Sequence, residues 1–442
     1  MYKKLFGRVT LVVAFALWPL NNASASSVQS TIADDYDYLK ELYIDLHKHP
    51  ELSFHENRTA NKLAKELQTI GFEVTTHVGG TGLVGVLKNG PGPTLMLRTD
   101  LDALPVKEET GLSFASVIQT KDDLGKTVPV AHACGHDAHM TIFVGTARQL
   151  VSIKDQWQGT LVMVGQPAEE RGAGARMMLK DGLFERFPRP DYNLALHVYP
   201  ELAVGTVGYT KGFALANVDS VDIVVHGIGG HGAYPHTTKD PVVLASKIVL
   251  SLQTLVSREV SPLEPAVVTV GSIHGGTKHN IISDRVNLQL TVRSYSDDVR
   301  NQLLEGIKRI AVAEGKVHGL PDRLLPTVKI KDEATPSVYN DPEFTERMIK
   351  VFERVLGKDK VKDTPPVMGG EDFARYGRVE PKIPSLMFKL GAMDATVLAD
   401  AKALGKRLPS LHSPFFAPVA EPTIKTGVLV MTSAVLDILS KK

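Results

Sequence analysis

Apolar residues recur at helical spacing over residues 34–46 and again over 56–70, where Gly71 stops the pattern. Short apolar runs then alternate with helical ones. Residues 82–87 and 94–98 predict strands, 138–151 a helix, 160–164 a buried strand, 173–181 a helix and 194–197 a short strand. Strands alternating with helices predict an α/β fold, a mostly parallel sheet flanked by helices on both faces. In such sheets the chemistry sits in loops beyond the carboxyl ends of the strands.

The pattern changes after Gly212. A strand is predicted over 221–226, a long helix over 241–256, strands over 266–273 and 285–293, a helix over 299–313 and a strand over 327–331. That order, β-α-β-β-α-β, is the ferredoxin-like unit. After Pro336 the earlier alternation resumes. The reading is therefore a catalytic domain in two parts, 26–213 and 331–442, with an α+β satellite domain inserted at 214–330.

Residues 1–25 carry Lys3, Lys4 and Arg8, then an apolar run from Val9 to Leu20, then Ala23, Ser24 and Ala25. This is the plan of a secretory signal peptide with a small-x-small cleavage site. The apolar run is roughly half the ~20 residues that a spanning helix needs, and no other stretch is expected to be long enough to cross a bilayer. The mature protein is expected to be exported, periplasmic or secreted, and not embedded in a membrane once the leader is removed.

Charge narrows the function classes. Lys and Arg number 50 against 49 Asp and Glu, mixed throughout the chain, so no clustered positive surface is available for nucleic acid. The single cysteine, Cys134, rules out an intrachain disulfide and needs another explanation.

That explanation lies in HACGHDAHM, residues 132–140. Cys134 and His136 are two apart, so in an extended loop their side chains share one side and can converge on an ion. A thiolate with imidazoles suits zinc or a neighbouring transition metal better than magnesium or calcium. The bland alternative is an inert buried thiol beside surface histidines; three histidines within the motif weigh against it. In GQPAEERGAG, residues 165–174, Glu169 and Glu170 follow a buried strand. Adjacent carboxylates there can divide their work, one holding metal and its neighbour reaching a bound water. A Glu pair alone is commonly a solvated turn, and its place at a strand end is what raises it. His197 ends a strand-like run, and His412 stands in LHSPFF near the C terminus.

Together with LRTDLDALP (97–105), HPELSFHE (49–56), GGHGAYPH (229–236) and MGGEDFA (368–374), these motifs resemble the amidohydrolase branch of the aminoacylase and carboxypeptidase-G clan. That branch includes hippurate hydrolases, N-acyl-amino-acid hydrolases and plant hydrolases of auxin conjugates. The resemblance implies a centre of two divalent metal ions, zinc or else manganese, cobalt or nickel. Its ligands would be Cys134, His136, Glu170, His197 and His412, with the cysteine bridging. It implies Glu169 as general base and acid, and Asp102 as the aspartate that orients the site. Asp100 stands where clan members outside this branch use a metal histidine, and it is not counted as a ligand. His231 would reach the site across a homodimer interface to stabilise the oxyanion, with Asn280 and Arg293 binding the substrate's carboxylate and carbonyl. The inserted domain would thus act in dimerisation and, hinged near Gly212 and Pro336, as a lid.

The function these readings imply is metal-dependent hydrolysis of the amide bond of a small N-acyl amino acid. The alternatives are a dipeptidase or carboxypeptidase on the same centre, acting on a short peptide, and an exported solute-binding protein without chemistry.

Overall fold

The computed structural model describes residues 22–441. The expected signal peptide lies outside the described residues except for its last four, which open the helix Asn22–Lys48. That helix starts well before residue 34. Its Ile32, Tyr36, Leu39, Tyr43 and Leu46 repeat every three or four residues and are all buried, forming one apolar face. The next helix, Asn57–Thr69, has its free N-terminal amides met by the Glu51 carboxylate, which accepts from Arg58 N at 3.1 Å and Thr59 N at 2.7 Å. Gly71, at φ 94°, turns the chain out of it.

The main sheet has eight strands in the order Glu73–Val78, Gly82–Asn89, Gly159–Gln166, Thr94–Asp100, Tyr192–Ala203, Ser385–Met393, Val207–Tyr209 and Val361–Asp363. Its four central strands, from Gly159–Gln166 to Ser385–Met393, run parallel, and antiparallel pairings lie toward both sides. Successive residues point to opposite faces. Leu95, Leu97, Leu161 and Met163 join one core, while Met96, Val162 and Val164 join the other. Helices Asn22–Lys48, His136–Ser152, Pro342–Leu356 and Ala420–Leu439 contribute to the first core, and Ala175, Met178, Phe373 and Tyr376 to the second. With both faces covered, the strands read as continuous apolar runs, which is why the sequence signals a parallel sheet.

The expectation about membrane-length segments needs correcting. Residues 241–259 and Ala420–Leu439 both form helices long and apolar enough to span a bilayer. For Ala420–Leu439 the cause of that composition is visible: 72% of its apolar window is buried inside the protein, against 33% for the other.

A second sheet, wholly antiparallel, has the order Ala266–Gly275, Arg285–Ser294, Asn217–His226 and Thr327–Ile330. Helices Pro241–Thr254 and Asp297–Val317 pack on it through a core of its own, including Val221, Ile223, Val225, Leu244, Ile248, Leu288, Leu303 and Ile307. Asp240 and Ser296 cap these two helices, accepting from Val242 N and Val299 N. The chain passes between the sheets twice, and the two passages pair as the strands Gly212–Leu215 and Val338–Asn340.

Candidate metal centre

Cys134 and His136 bracket Gly135, which stands at φ 80° just before the helix His136–Ser152. A side chain at that glycine would meet Val198 Cγ2 at 2.5 Å, so the loop can lie this close to the His197 strand only with hydrogen there. The approach places Cys134 Sγ 3.5 Å from His197 Nε2.

Hydrogen bonding fixes the face each imidazole offers. His136 Nδ1 lies 2.8 Å from the Asp102 carbonyl oxygen, and His197 Nδ1 lies 2.8 Å from that of Val198. A carbonyl only accepts, so each Nδ1 carries a proton, and in the neutral ring each Nε2 then presents a lone pair. His136 Nε2 and Glu170 Oε1 are buried with no hydrogen-bond partner among the described residues, though they lie 3.9 Å from each other. Such atoms call for a ligand. His412 comes from a separate loop, held by its N–H to the Ala133 carbonyl at 2.8 Å and kinked at φ 67°; its Nε2 is 3.4 Å from Glu170 Oε2.

The ligand atoms fall into two overlapping sets. Those of Cys134, His136 and His197 lie within 4.8 Å of one another, as do those of Cys134, Glu170 and His412. All five residues expected as ligands are therefore together, with Cys134 common to both sets. Thiolate, imidazole lone pairs and carboxylate are a donor set that fits divalent transition ions.

Asp102 is fully buried beneath the Glu169–Glu170 turn. Its carboxylate accepts from Ser53 Oγ at 2.6 Å, Glu169 N at 3.2 Å and Glu170 N at 3.0 Å. Burial works against its charge, but the contact with His136 and these hydrogen bonds hold it below the usual carboxylate range. Glu169 shows the opposite behaviour. Burial and the neighbouring Glu371, Glu170 and Asp372 push its carboxyl well above the usual range, opposed by Arg98. Burial raises Glu170 to about 7, against the pull of His136, and drives His197 well down. Burial disfavours charge on His136, yet Asp100, Asp102 and Glu170 raise it to about 10.

Behind these lies a buried ionic cluster to which sequence reasoning assigned no role. Arg98 donates to Asp100 at 2.8 Å, Glu371 at 2.8 Å and Gln166 at 3.0 Å. Asp100 also accepts from His139 Nδ1 at 2.8 Å, and His139 Nε2 accepts from Val198 N at 2.9 Å. Both nitrogens of His139 are engaged, so it braces the His197 strand. The signals were present in LRTD, HACGHDAHM and MGGEDFA, which supply Arg98, His139, Glu371 and Asp372.

The centre opens on a cavity of about 600 Å³ lined by Cys134, Glu169, Glu170, His197 and His412 from the main layer and by Arg293 from the second sheet. Arg293 Nη1 donates to the Met368 carbonyl at 2.6 Å. His231 and Asn280 do not line this cavity. They are exposed and stand on two adjoining segments instead: Gly230–His231 pairs with Ile281–Ile282, and Gly232 N donates to Asn280 O at 2.9 Å.

Residues 96–436 match the family model described as peptidase family M20/M25/M40. Thermostable carboxypeptidase 1 of Saccharolobus solfataricus is 34% identical over 82% of this chain and 88% of its own length. An IAA-amino acid hydrolase of Arabidopsis thaliana is 32% identical over 92% of this chain and 86% of its own. Among solved structures, the YXEP protein of Bacillus subtilis, described as a dinuclear metal-binding peptidase of the M20 family, superposes with a TM-score of 0.72 at 28% identity, covering 94% of this chain and 99% of that one. With the family model covering most of its length and a cysteine, histidine and carboxylate centre at the sheet's carboxyl end, the chain belongs to peptidase family M20/M25/M40 and is a metal-dependent amidohydrolase or peptidase.

Proposed function

We propose that the protein hydrolyses the amide bond of N-acyl amino acids, with Glu169 as the residue that moves the proton. The observation that carries this reading is the position of Glu169. It lines the cavity beside the donor sets, with a carboxylate oxygen 3.8 Å from His136 Nε2. Two divalent ions held by Cys134, His136, Glu170, His197 and His412 would supply a water acidified toward neutrality and polarise the substrate carbonyl.

Glu169 takes a proton from the attacking water and returns it to the departing amine nitrogen, which leaves poorly without it. A carboxyl held above its usual range by burial and by Glu371 suits the acid half of that role. Arg293, on the cavity wall, offers a fork of N–H groups to the substrate's carboxylate. His231, exposed and outside the walls of its own chain's cavity, would serve as an oxyanion donor from a second copy, with Asn280 beside it. The ions would be zinc, or manganese, cobalt or nickel, and the leader-like residues 1–25 support export to the periplasm or beyond.

A second reading, a dipeptidase or carboxypeptidase on the same centre, is favoured by the likeness to a carboxypeptidase. One experiment separates them. Amine release is measured from a panel of N-acyl amino acids and dipeptides after reconstitution with zinc, manganese or cobalt. Release from N-acyl amino acids, lowered ~10²- to 10⁴-fold in Glu169→Gln at unchanged metal content, is the expected result. Release from dipeptides alone would establish the second reading, and an active Glu169→Gln would remove the residue from the mechanism.

A further inference from the structure

Lys389 stands on the strand Ser385–Met393 directly opposite His197 in the parallel register, and it lines the same cavity. It is only 8% exposed. Its ammonium carries three donors. One is engaged, by the Pro365 carbonyl at 3.0 Å, and Nζ lies 4.6 Å from the centre of the Tyr199 ring. Among the described residues Lys389 forms no ion pair; burial lowers its pKa, and the Glu201 carboxylate acts against that only at a distance. The contrast with Arg171, another cation of this cavity, is direct: Arg171 is paired with Asp123 and Glu333.

A buried cation without a counter-ion is costly, because neither water nor a carboxylate compensates its charge. Here Lys389 belongs to the wall of a substrate cavity whose lining includes the neutral Thr210, Val367, Met387 and Phe388 and, besides them, the carboxylates Glu169, Glu170, Glu333 and Glu371, none of which pairs with it among the described residues. It comes from the main sheet, whereas Arg293 reaches the same cavity from the second. A ligand filling the space therefore meets two separate cations, neither of which forms an ion pair among the described residues.

We propose that Lys389 is a specificity residue that receives a second carboxylate of the substrate, in addition to the one expected at Arg293. The inference rests on the amidohydrolase reading and narrows it to dicarboxylic substrates. The second carboxylate can belong to the acyl group or to the amino acid's side chain, and the test distinguishes the two.

Two substrate pairs are compared in the metal-loaded enzyme: N-succinyl-leucine against N-butyryl-leucine, and N-acetyl-glutamate against N-acetyl-glutamine. In at least one pair the acid is expected to be preferred in kcat/KM. That preference should fall ~10- to 100-fold in Lys389→Met and Lys389→Gln, the loss of one charge-assisted contact, and return in part in Lys389→Arg. The pair that responds identifies which end of the substrate Lys389 holds. Preferences unchanged in both variants for both pairs would overturn the proposal. Calorimetric binding of glutarate is measured alongside, so that a wild type that releases no amine from any substrate fails the amidohydrolase reading alone. In that case tenfold or more weaker glutarate binding in the variants upholds the role of Lys389, and equal binding overturns it.

Discussion

Glu170 N donates to Asp102 Oδ2 at 3.0 Å, while the Asp102 main-chain carbonyl accepts the Nδ1 proton of His136. One residue thus orients, through two different groups, a carboxylate and an imidazole that face the same centre.

Asp102→Ala removes the acceptor for Glu170 N, Glu169 N and Ser53 Oγ but keeps the carbonyl for His136. Metal affinity is expected to fall ~10- to 100-fold, the usual cost of losing an orienting partner. Competition with a chromophoric chelator measures it. An unchanged dissociation constant would mean that the Glu169–Glu170 turn holds its shape unaided.

Arg98 is completely buried among Asp100, Glu371 and Asp372. Arg98→Met keeps much of the volume and leaves three carboxylates without their cation. Removing one member of a buried ionic group costs ~3–5 kcal/mol, far above an exposed ion pair. Urea denaturation should register a loss on that order; a shift below about 1 kcal/mol would show that the carboxylates simply take up protons.

His47 is buried between Asp137, at 2.6 Å, and Glu108, at 2.9 Å. Burial opposes its charge, but the two carboxylates outweigh it and raise its pKa from 6.5 to about 10. A raised histidine contributes stability that is fully present below pH 6.5 and is lost as pH rises through about 10. Asp137 and Glu108, both lowered, act in the opposite sense, losing their contribution as pH falls through the acid range. The Tm of the wild type should therefore decline between pH 6.5 and 10, and His47→Gln should flatten that decline. Parallel slopes in the two proteins would count against the linkage.

Much of this was legible because it is local. Cys134 and His136 announce themselves two residues apart and Glu169 and Glu170 side by side, each within one short motif, and the alternation of strands and helices gives the layer order. What stayed hidden depends on distance along the chain. Arg98 meets Glu371 only because the strands Thr94–Asp100 and Gly159–Gln166 bring their carboxyl ends beside the loop at 371, and no periodicity encodes that meeting. Lys389 reads as one more charge in an apolar run until its register with His197 is known. Short edge strands such as Val207–Tyr209 and Val361–Asp363 have too few residues for alternation to register. The solute-binding alternative fell to the family match, while the spacing of GGHGAYPH said nothing of how far His231 stands from its own chain's cavity.

The lone thiol has a practical corollary. Since Cys134 Sγ belongs to both ligand-atom sets described above and the chain has no other thiol, its reactivity would serve as an internal gauge of metal loading. A thiol reagent titrates one site per chain when the protein is unfolded. In the folded protein, slower reaction of that single thiol after a metal ion is added would report filling of the centre, and oxidation of the thiol would remove a donor from both sets in one event.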